Sequence, residues 1–387
     1  MSKNALLVAA VGFATLTAVP PSWSAEPETV ILGPTTYWRC HYALKPPVLR
    51  QDGQLKAISI PEEIKGPDRK AQPGKWLDFD TRLPSEKWRE ADFDDADWHR
   101  GFLFNPDSPW IAHLALRGKF HVIDSAQAKG LTLALRYRGG IAVYLNGREI
   151  ARQHVAPGAQ PDDPAEDYTD ADFAERRELA VELPQNALRT GVNVLAFEVH
   201  RSPQVASGVI REEGKVEIPF GTCGVISATL IAPNDAAVQP NVARPPEVQV
   251  WNSGPMEEDY ECQYGDPNEC LQPIRIFAPL GGVGSGKVVV GWNKPIRGLT
   301  ASVGDLRQAN GNGRIPTSAV QVRYALPTGR GPVGTYGAGS YSLIRSDALD
   351  VVPPEEVPVL IPNLSSVGTP GRKAGLRCSR VYTHRRL

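Results

Sequence analysis

The residues that could do chemistry are few and scattered. Four aspartates, Asp92, Asp94, Asp95 and Asp97, lie within six positions. Calcium takes several carboxylate and carbonyl oxygens at once, so this acidic knot is a candidate site for a structural calcium ion. It lacks the glycine spacing of an EF-hand loop, and Asp-Asp before Ala-Asp also suits ordinary turn capping. Trp110 follows the turn-forming run Asn105 to Pro109, and Tyr168 lies in the acidic, proline-rich stretch Pro157 to Asp172. Binding groups concentrate on loops held by a rigid framework. An exposed ring there can stack on the apolar face of a sugar, so Trp110 and Tyr168 are candidate carbohydrate contacts. Glycoside hydrolysis would need two carboxylates facing one cleft, about 5 to 10 Å apart. The acids here fall in loops, and nothing in their spacing brings a pair together, so no catalytic residue is assigned.

Gly281 to Lys287 (GGVGSGK) matches the start of a phosphate-binding loop. Its last position needs Ser or Thr to hold magnesium and is Val288, and the β-branched run to Val290 reads as a strand where a helix should open. Nucleotide binding is not expected. Cys40, Cys223, Cys262, Cys270 and Cys378 include no pair or Cys/His grouping at zinc spacing. Cys262 and Cys270 flank Gly265-Asp266-Pro267-Asn268. That turn chemistry returns the chain and could bring the sulfurs within bridging range, so a disulfide is expected there. Cys40 with Cys223 is a second candidate pair.

The chain that must position these groups has 42 basic and 43 acidic side chains, a formal net charge of -1. That balance gives no electrostatic case for nucleic acid or acidic lipid as a partner. Lys3 precedes an apolar run from Ala5 to Val19, broken by Pro20 and Pro21. About 15 apolar residues is signal-peptide length and short for a bilayer. Small Ser22 and Ser24 place cleavage after Ser24, which implies a secreted or periplasmic protein. No later stretch is apolar enough to span a membrane. The 35 prolines are about twice ordinary usage, and with 36 glycines and two methionines they favour short strands joined by many turns.

Strand patterning is clearest from Leu131 to Arg152. Leu131, Leu133, Leu135 and Tyr137 alternate with polar or small residues, and Ile141, Val143 and Leu145 repeat the pattern after Gly139-Gly140. Period two means a strand with one buried face. Asn146-Gly147 suits a type I′ turn, which predicts a hairpin. Val192 to Val199 supplies another strand, with Leu195, Phe197 and Val199 on one face. Short strands at this spacing predict a sandwich or barrel, an all-β fold. Asn234 to Pro246 is rich in Pro and Ala and reads as a linker; short strands resume from Val248.

Two family resemblances follow. Trp88, Phe93, Asp94, Asp95 and Trp98, the Tyr144-Leu145-Asn146-Gly147 hairpin, and the run Gly191 to Arg201 (GVNVLAFEVHR) together resemble the galactose-binding-like jelly roll. Glycoside hydrolase family 2 and related enzymes carry that domain as their sugar-binding module. The resemblance covers roughly residues 75–233, and most of its matching residues are structural. Pro273 to Leu306 and Ile315 to Ala325 resemble the N-terminal β-sandwich of glycoside hydrolase family 123, over about 245–362. That family hydrolyses β-linked N-acetylgalactosamine with an adjacent Asp-Glu pair on a barrel that follows. A (β/α)₈ barrel needs at least about 200 residues; only Asn363 to Leu387 remain, and no Asp-Glu dipeptide occurs after Glu269. Arg372 to Leu387 is basic and holds no acid. It is expected to be the remnant of a frame shifted or stopped near Gly375, leaving the second sandwich truncated.

The expected organisation is a signal peptide at 1–24, an N-terminal extension at 25–74, the jelly roll at 75–233 and a linker at 234–246. A second, incomplete β-sandwich at 247–374 and a basic tail at 375–387 complete it. The expected function is an exported, non-catalytic, carbohydrate-associated module whose partner is a glycan or polysaccharide, with no cofactor beyond the calcium considered above. Two alternatives stand beside it: an extracellular structural or adhesion module that packs on a protein, and a glycosidase with a site of its own.

Overall fold

In the computed structural model the described residues are 28–58, 81–102, 108–169, 171–172, 176–204, 210–212, 215–217, 221–255, 257, 259, 263–333 and 341–359. The expected signal peptide and basic tail lie outside them. The protein is all-β, with antiparallel sheets. In chain order the first unit runs β1 (Thr29–Leu32), β2 (Tyr37–Leu44), a small hairpin of β3 (Val48–Gln51) and β4 (Gln54–Ala57), then β5 (His99–Phe102) and β6 (Ile111–Val122). It continues with β7 (Thr132–Arg138), β8 (Gly140–Leu145), β9 (Arg148–Gln153), β10 (Arg177–Glu182) and β11 (Gly191–His200). A short ribbon, β12 (Ile210–Glu212) with β13 (Lys215–Glu217), precedes β14 (Gly224–Ala232) and β15 (Val238–Gln239).

Two sheets face each other. The smaller has the order β1-β14-β7-β10; the larger has β5-β2-β6-β11-β8-β9, with β15 also paired to β6. Alternation decides what lies between them. On β11, Leu195, Phe197 and Val199 point inward; Leu114, Leu116, Phe120 and Val122 do so on β6, and Ile141, Val143 and Leu145 on β8. Leu133, Leu135 and Tyr137 of β7 answer them from the opposite sheet. Trp38 lies 4.9 Å from the Phe197 ring, above Gly118, where an added Cβ would stand 2.6 Å from the indole. Glycine at 118 is thus what lets the largest core side chain close onto β6. The Asn146-Gly147 turn joins β8 and β9 as the sequence predicts, with φ of 52° and 88°, the left-handed pair a type I′ turn requires.

The sandwich starts earlier and ends later than the sequence pattern suggests. β1 and β2 lie before residue 75 yet pair with β14 and β6. β1 has four residues, and β2 (YWRCHYAL) has no clean apolar alternation, so their partners are what reveal them. The expected linker is tied down as well: Ala237 and Val238 join the core, and Asn241 Nδ2 donates to the Lys119 carbonyl at 3.1 Å. Cys40 and Cys223 are free, buried thiols in that core, so the second candidate disulfide is not formed. The expected Cys262–Cys270 bridge involves Cys262, which lies outside the described residues.

Beyond Val248 the strands form separate ribbons. β16 (Gln249–Ser253) pairs β17 (Lys287–Gly291), and β18 (Ile296–Arg297) pairs β23 (Glu356–Val357). β19 (Leu306–Arg307) pairs β20 (Arg314–Ile315), and β21 (Tyr324–Val333) pairs β22 (Tyr341–Asp350). Among the described residues the buried hydrophobic side chains after Val238 are Trp251 and Tyr264. These ribbons therefore have no core of their own among the described residues. The glycine-rich run ending at Lys287 leads into strand β17, and Lys287 Nζ pairs with Asp259 at 2.6 Å. Among the described residues, no helix is long and apolar enough to cross a membrane.

Candidate functional site

The same alternation that fills the core sends a different set of side chains to the outer face of the larger sheet. On β6 these are His113, Ala115, Arg117 and Lys119; on β11, Val194, Ala196, Glu198 and His200; on β8, Ala142 and Tyr144; on β2, Arg39 and His41. Ala115, Ala142 and Ala196 are small enough for Trp88 and Trp98 to lie on the sheet, with Phe93 packed beside them. The segment carrying these rings starts with a single 3₁₀ turn, Glu86–Arg89, whose Ser85 cap accepts from the Lys87 amide. Arg117, 1% exposed, holds it down. Its guanidinium meets Asp95 Oδ2 at 2.7 Å and the carbonyls of Trp88 and Glu90. Two polar clusters flank this aromatic cover.

The first is His113, Glu198 and His200. Their side chains are 0 to 2% exposed, and their ligand atoms lie within 4.8 Å of one another. Glu198 Oε1 is 3.2 Å from His113 Nε2 and 3.6 Å from His200 Nε2. Arg89 donates to Oε1 at 2.7 Å and to Oε2 at 2.8 and 3.2 Å, and the Tyr144 hydroxyl donates to Oε2 at 3.0 Å. Burial alone pushes the Glu198 carboxyl up, but the bonds from His113 and Arg89, with His200 adding at longer range, hold it well below the usual carboxylate range. Burial holds the His113 imidazole below its ordinary value against the pull of Glu198. His200 Nδ1 lies 2.8 Å from the Asp163 carbonyl. The ordinary ways to read this cluster are as a satisfied ion-pair network or as a two-histidine, one-carboxylate metal set.

The second cluster is centred on Glu269. Arg39 grips it with two bonds of 2.8 Å, Lys119 Nζ is 3.0 Å away, and Arg100 Nε is 3.6 Å away. Lys119 also meets Asp95 Oδ1 at 2.7 Å, which joins this cluster to the aromatic cover. Arg100 donates to the Tyr264 carbonyl at 2.5 Å and stacks over Tyr37, 3.7 Å from the ring centroid. Asp266 accepts from the Asn268 amide and from Asn241 Nδ2. Burial, then the charge of Glu269, pushes the Asp266 carboxyl up to about 6. Glu269 itself is held well below the usual range, burial being overcome by Lys119 and Arg39. Residues 263–270 are thereby clasped to the sandwich.

The residues singled out in the sequence do not converge. Asp95 turns inward to Arg117 and Lys119, while Asp94 caps the Ala96 amide and meets Arg275 at 2.9 Å. Asp97 lies 3.6 Å from the same arginine and Asp92 is exposed. Their oxygens point at different partners: Asp95 at two buried cations, Asp94 and Asp97 at Arg275. Tyr168 is 1% exposed, with the Arg177 guanidinium 5.0 Å from its ring centroid. A ring with no open face cannot stack on a sugar; here it anchors its loop. Trp110 is half-buried immediately before β6. Sequence reasoning missed the histidine cluster, although its signal was present. If Leu195, Phe197 and Val199 point inward, Glu198 and His200 share the other face.

No family model matches the chain, and no curated protein matches it. Solved structures overlap it in part. A Bacteroides uniformis β-glucuronidase is 14% identical and covers 53% of this chain and 18% of its own, with a TM-score of 0.29. A β-glucuronidase from an uncultured Clostridium is 13% identical over 62% of this chain and 34% of its own, also at 0.29. A family 35 carbohydrate-binding module from an environmental isolate is 14% identical over 34% of this chain and 73% of its own, at 0.19. This chain thus spans about a fifth of the length of the first of these enzymes. Overlap at this level leaves the reading of the site to the chain's own geometry.

Proposed function

We propose that this chain is an exported, non-catalytic, carbohydrate-associated β-sandwich module, the front part of a family-123-like glycosidase. The observation that carries the non-catalytic reading is the state of its buried acids. Glu198 is held by Arg89, Asp95 by Arg117 and Lys119, and Glu269 by Arg39 and Lys119. A general acid for glycoside cleavage needs a raised pKa and a partner carboxylate across an open cleft. These three are paired, and Asp266, whose carboxyl is raised, is itself buried and bonded to Asn241 Nδ2 and the Asn268 amide, with no open cleft before it among the described residues. The carbohydrate part rests on the sequence motifs between Trp88 and Arg201, which fall on strands and turns of one sandwich. The contact left for a sugar is Trp110, on the surface beside β2, where the Lys45 amide donates to its carbonyl at 2.9 Å.

A shallow surface site buries little area and desolvates many hydroxyls, so glycan affinity is weak. Calorimetry with a galactosamine-containing glycan tests it: heat at millimolar ligand, lost in Trp110→Ala, is the expected result. No heat at that concentration sinks glycan binding and favours a structural module packed on a protein. Hydrolysis of an aryl N-acetyl-β-galactosaminide by the purified chain would overturn the non-catalytic reading.

A further inference from the structure

We propose that His113, Glu198 and His200 bind a divalent transition-metal ion of the zinc class, as a structural site in the outer layer of the larger sheet. Ligands on a tetrahedron around zinc, with bonds of about 2.0–2.1 Å, stand about 3.3–3.4 Å apart. Glu198 Oε1 already stands 3.2 and 3.6 Å from the two imidazole Nε2 atoms. Two imidazoles and one carboxylate are a donor set that zinc accepts, with water in the remaining position. All three residues lie on β6 and β11, where His113 and His200 are register partners, so the sheet itself fixes their separation.

A second observation points to a cation. The His200 Nδ1 proton is given to the Asp163 carbonyl at 2.8 Å, the outer-shell bond that metal-binding imidazoles characteristically make. That bond sets the tautomer, so the lone pair of Nε2 faces Glu198. This buried nitrogen has no hydrogen-bond partner, because 3.6 Å is too long for one. A buried imidazole nitrogen without a hydrogen-bond partner and a carboxylate oxygen therefore face each other away from bulk solvent, and a bridging cation gives both a bond. The far oxygen of Glu198 is steered by Tyr144 at 3.0 Å and by Arg89 at 2.8 Å, which leaves Oε1 towards the histidines. Arg89 Nη2 gives up its 2.7 Å contact to Oε1 on binding and keeps those to Oε2.

The cluster is closed over, so the ion enters as the chain folds. The full chain is refolded from urea with zinc, dialysed against EDTA and assayed by mass spectrometry for bound metal. One zinc per chain is expected, falling by about tenfold or more in His113→Gln and His200→Gln. X-ray absorption on the wild-type protein should show two imidazole nitrogens and oxygen, without sulfur. A zinc-free wild-type protein, zinc retained in the double variant, or a sulfur-containing shell overturns the site. If the variants fail to fold, the absorption spectrum of the wild type decides alone.

Discussion

At the scale of single residues, burial and register account for most of what each side chain does. Phe197 is fully buried and pinned by Trp38. Phe197→Ala should lose about 3–5 kcal/mol in urea unfolding; a loss well under that would remove Phe197 from the core. Asp266 gives a pH signature. Its folded value of about 6 lies above its ordinary 3.8. The native state keeps that proton where the unfolded chain has released it, so the Asp266 contribution to stability falls as pH rises from about 4 to about 6. Asp266→Asn keeps an acceptor oxygen and carries no charge. Its thermal midpoint should gain on the wild type's between about pH 4 and pH 7, and a pH-independent gap would refute the assignment. Inward residues such as Leu195 and Val143 were legible from alternation alone. The partners of Asp95 and Glu198 were not, because Arg117 and His113 reach them only once β6 has been set in register. Tyr168 misled because loop composition says where the chain runs and not which way a ring turns.

At the scale of elements, β7, β8, β9 and β11 were readable because each has a glycine or asparagine at one of its ends: Gly139 after β7, Asn146 after β8, Gly147 before β9 and Gly191 opening β11. β1, β2, β5 and β15 were not, being short or lacking a turn signature. The hairpin turn makes a sharp test. Gly147 has φ of 88°, and an added Cβ would approach the Glu90 carboxylate at 2.7 Å. Gly147→Ala should destabilise the sandwich by about 1–2 kcal/mol, chiefly through the left-handed backbone. Equal unfolding midpoints for the two proteins would show that the turn is not held in that form. The aromatic cover shows a more general coupling. Three alanines on three neighbouring strands make room for Trp88 and Trp98, and Arg117 bonds the carbonyls of Trp88 and Glu90. None of these six residues is intelligible without the others.

At the scale of the whole molecule, the sandwich takes in strands from Thr29 to Gln239, and the clasp at Glu269 adds residues 263–270. The apolar side chains that follow stand in solvent: Phe277 is 93% exposed and Val283 95%. Limited proteolysis should therefore cut beyond Cys270 first and leave a stable fragment ending there, whereas the sequence alone suggested a boundary near Asn234. A dominant product ending near Asn234 would mean that the clasp is weak. The clasp also has a meaning for recognition. Residues 263–270 act as a ligand that shares a chain with its receptor, at the millimolar effective concentration a short tether confers. Sever the tether, and Arg39, Arg100 and Lys119 lose Glu269, while Asp95 still pairs with Arg117 and Lys119. The isolated sandwich becomes a receptor for acidic peptides. The severed segment supplied free should dock back in a salt-sensitive way, and the same peptide carrying Glu269→Gln should not.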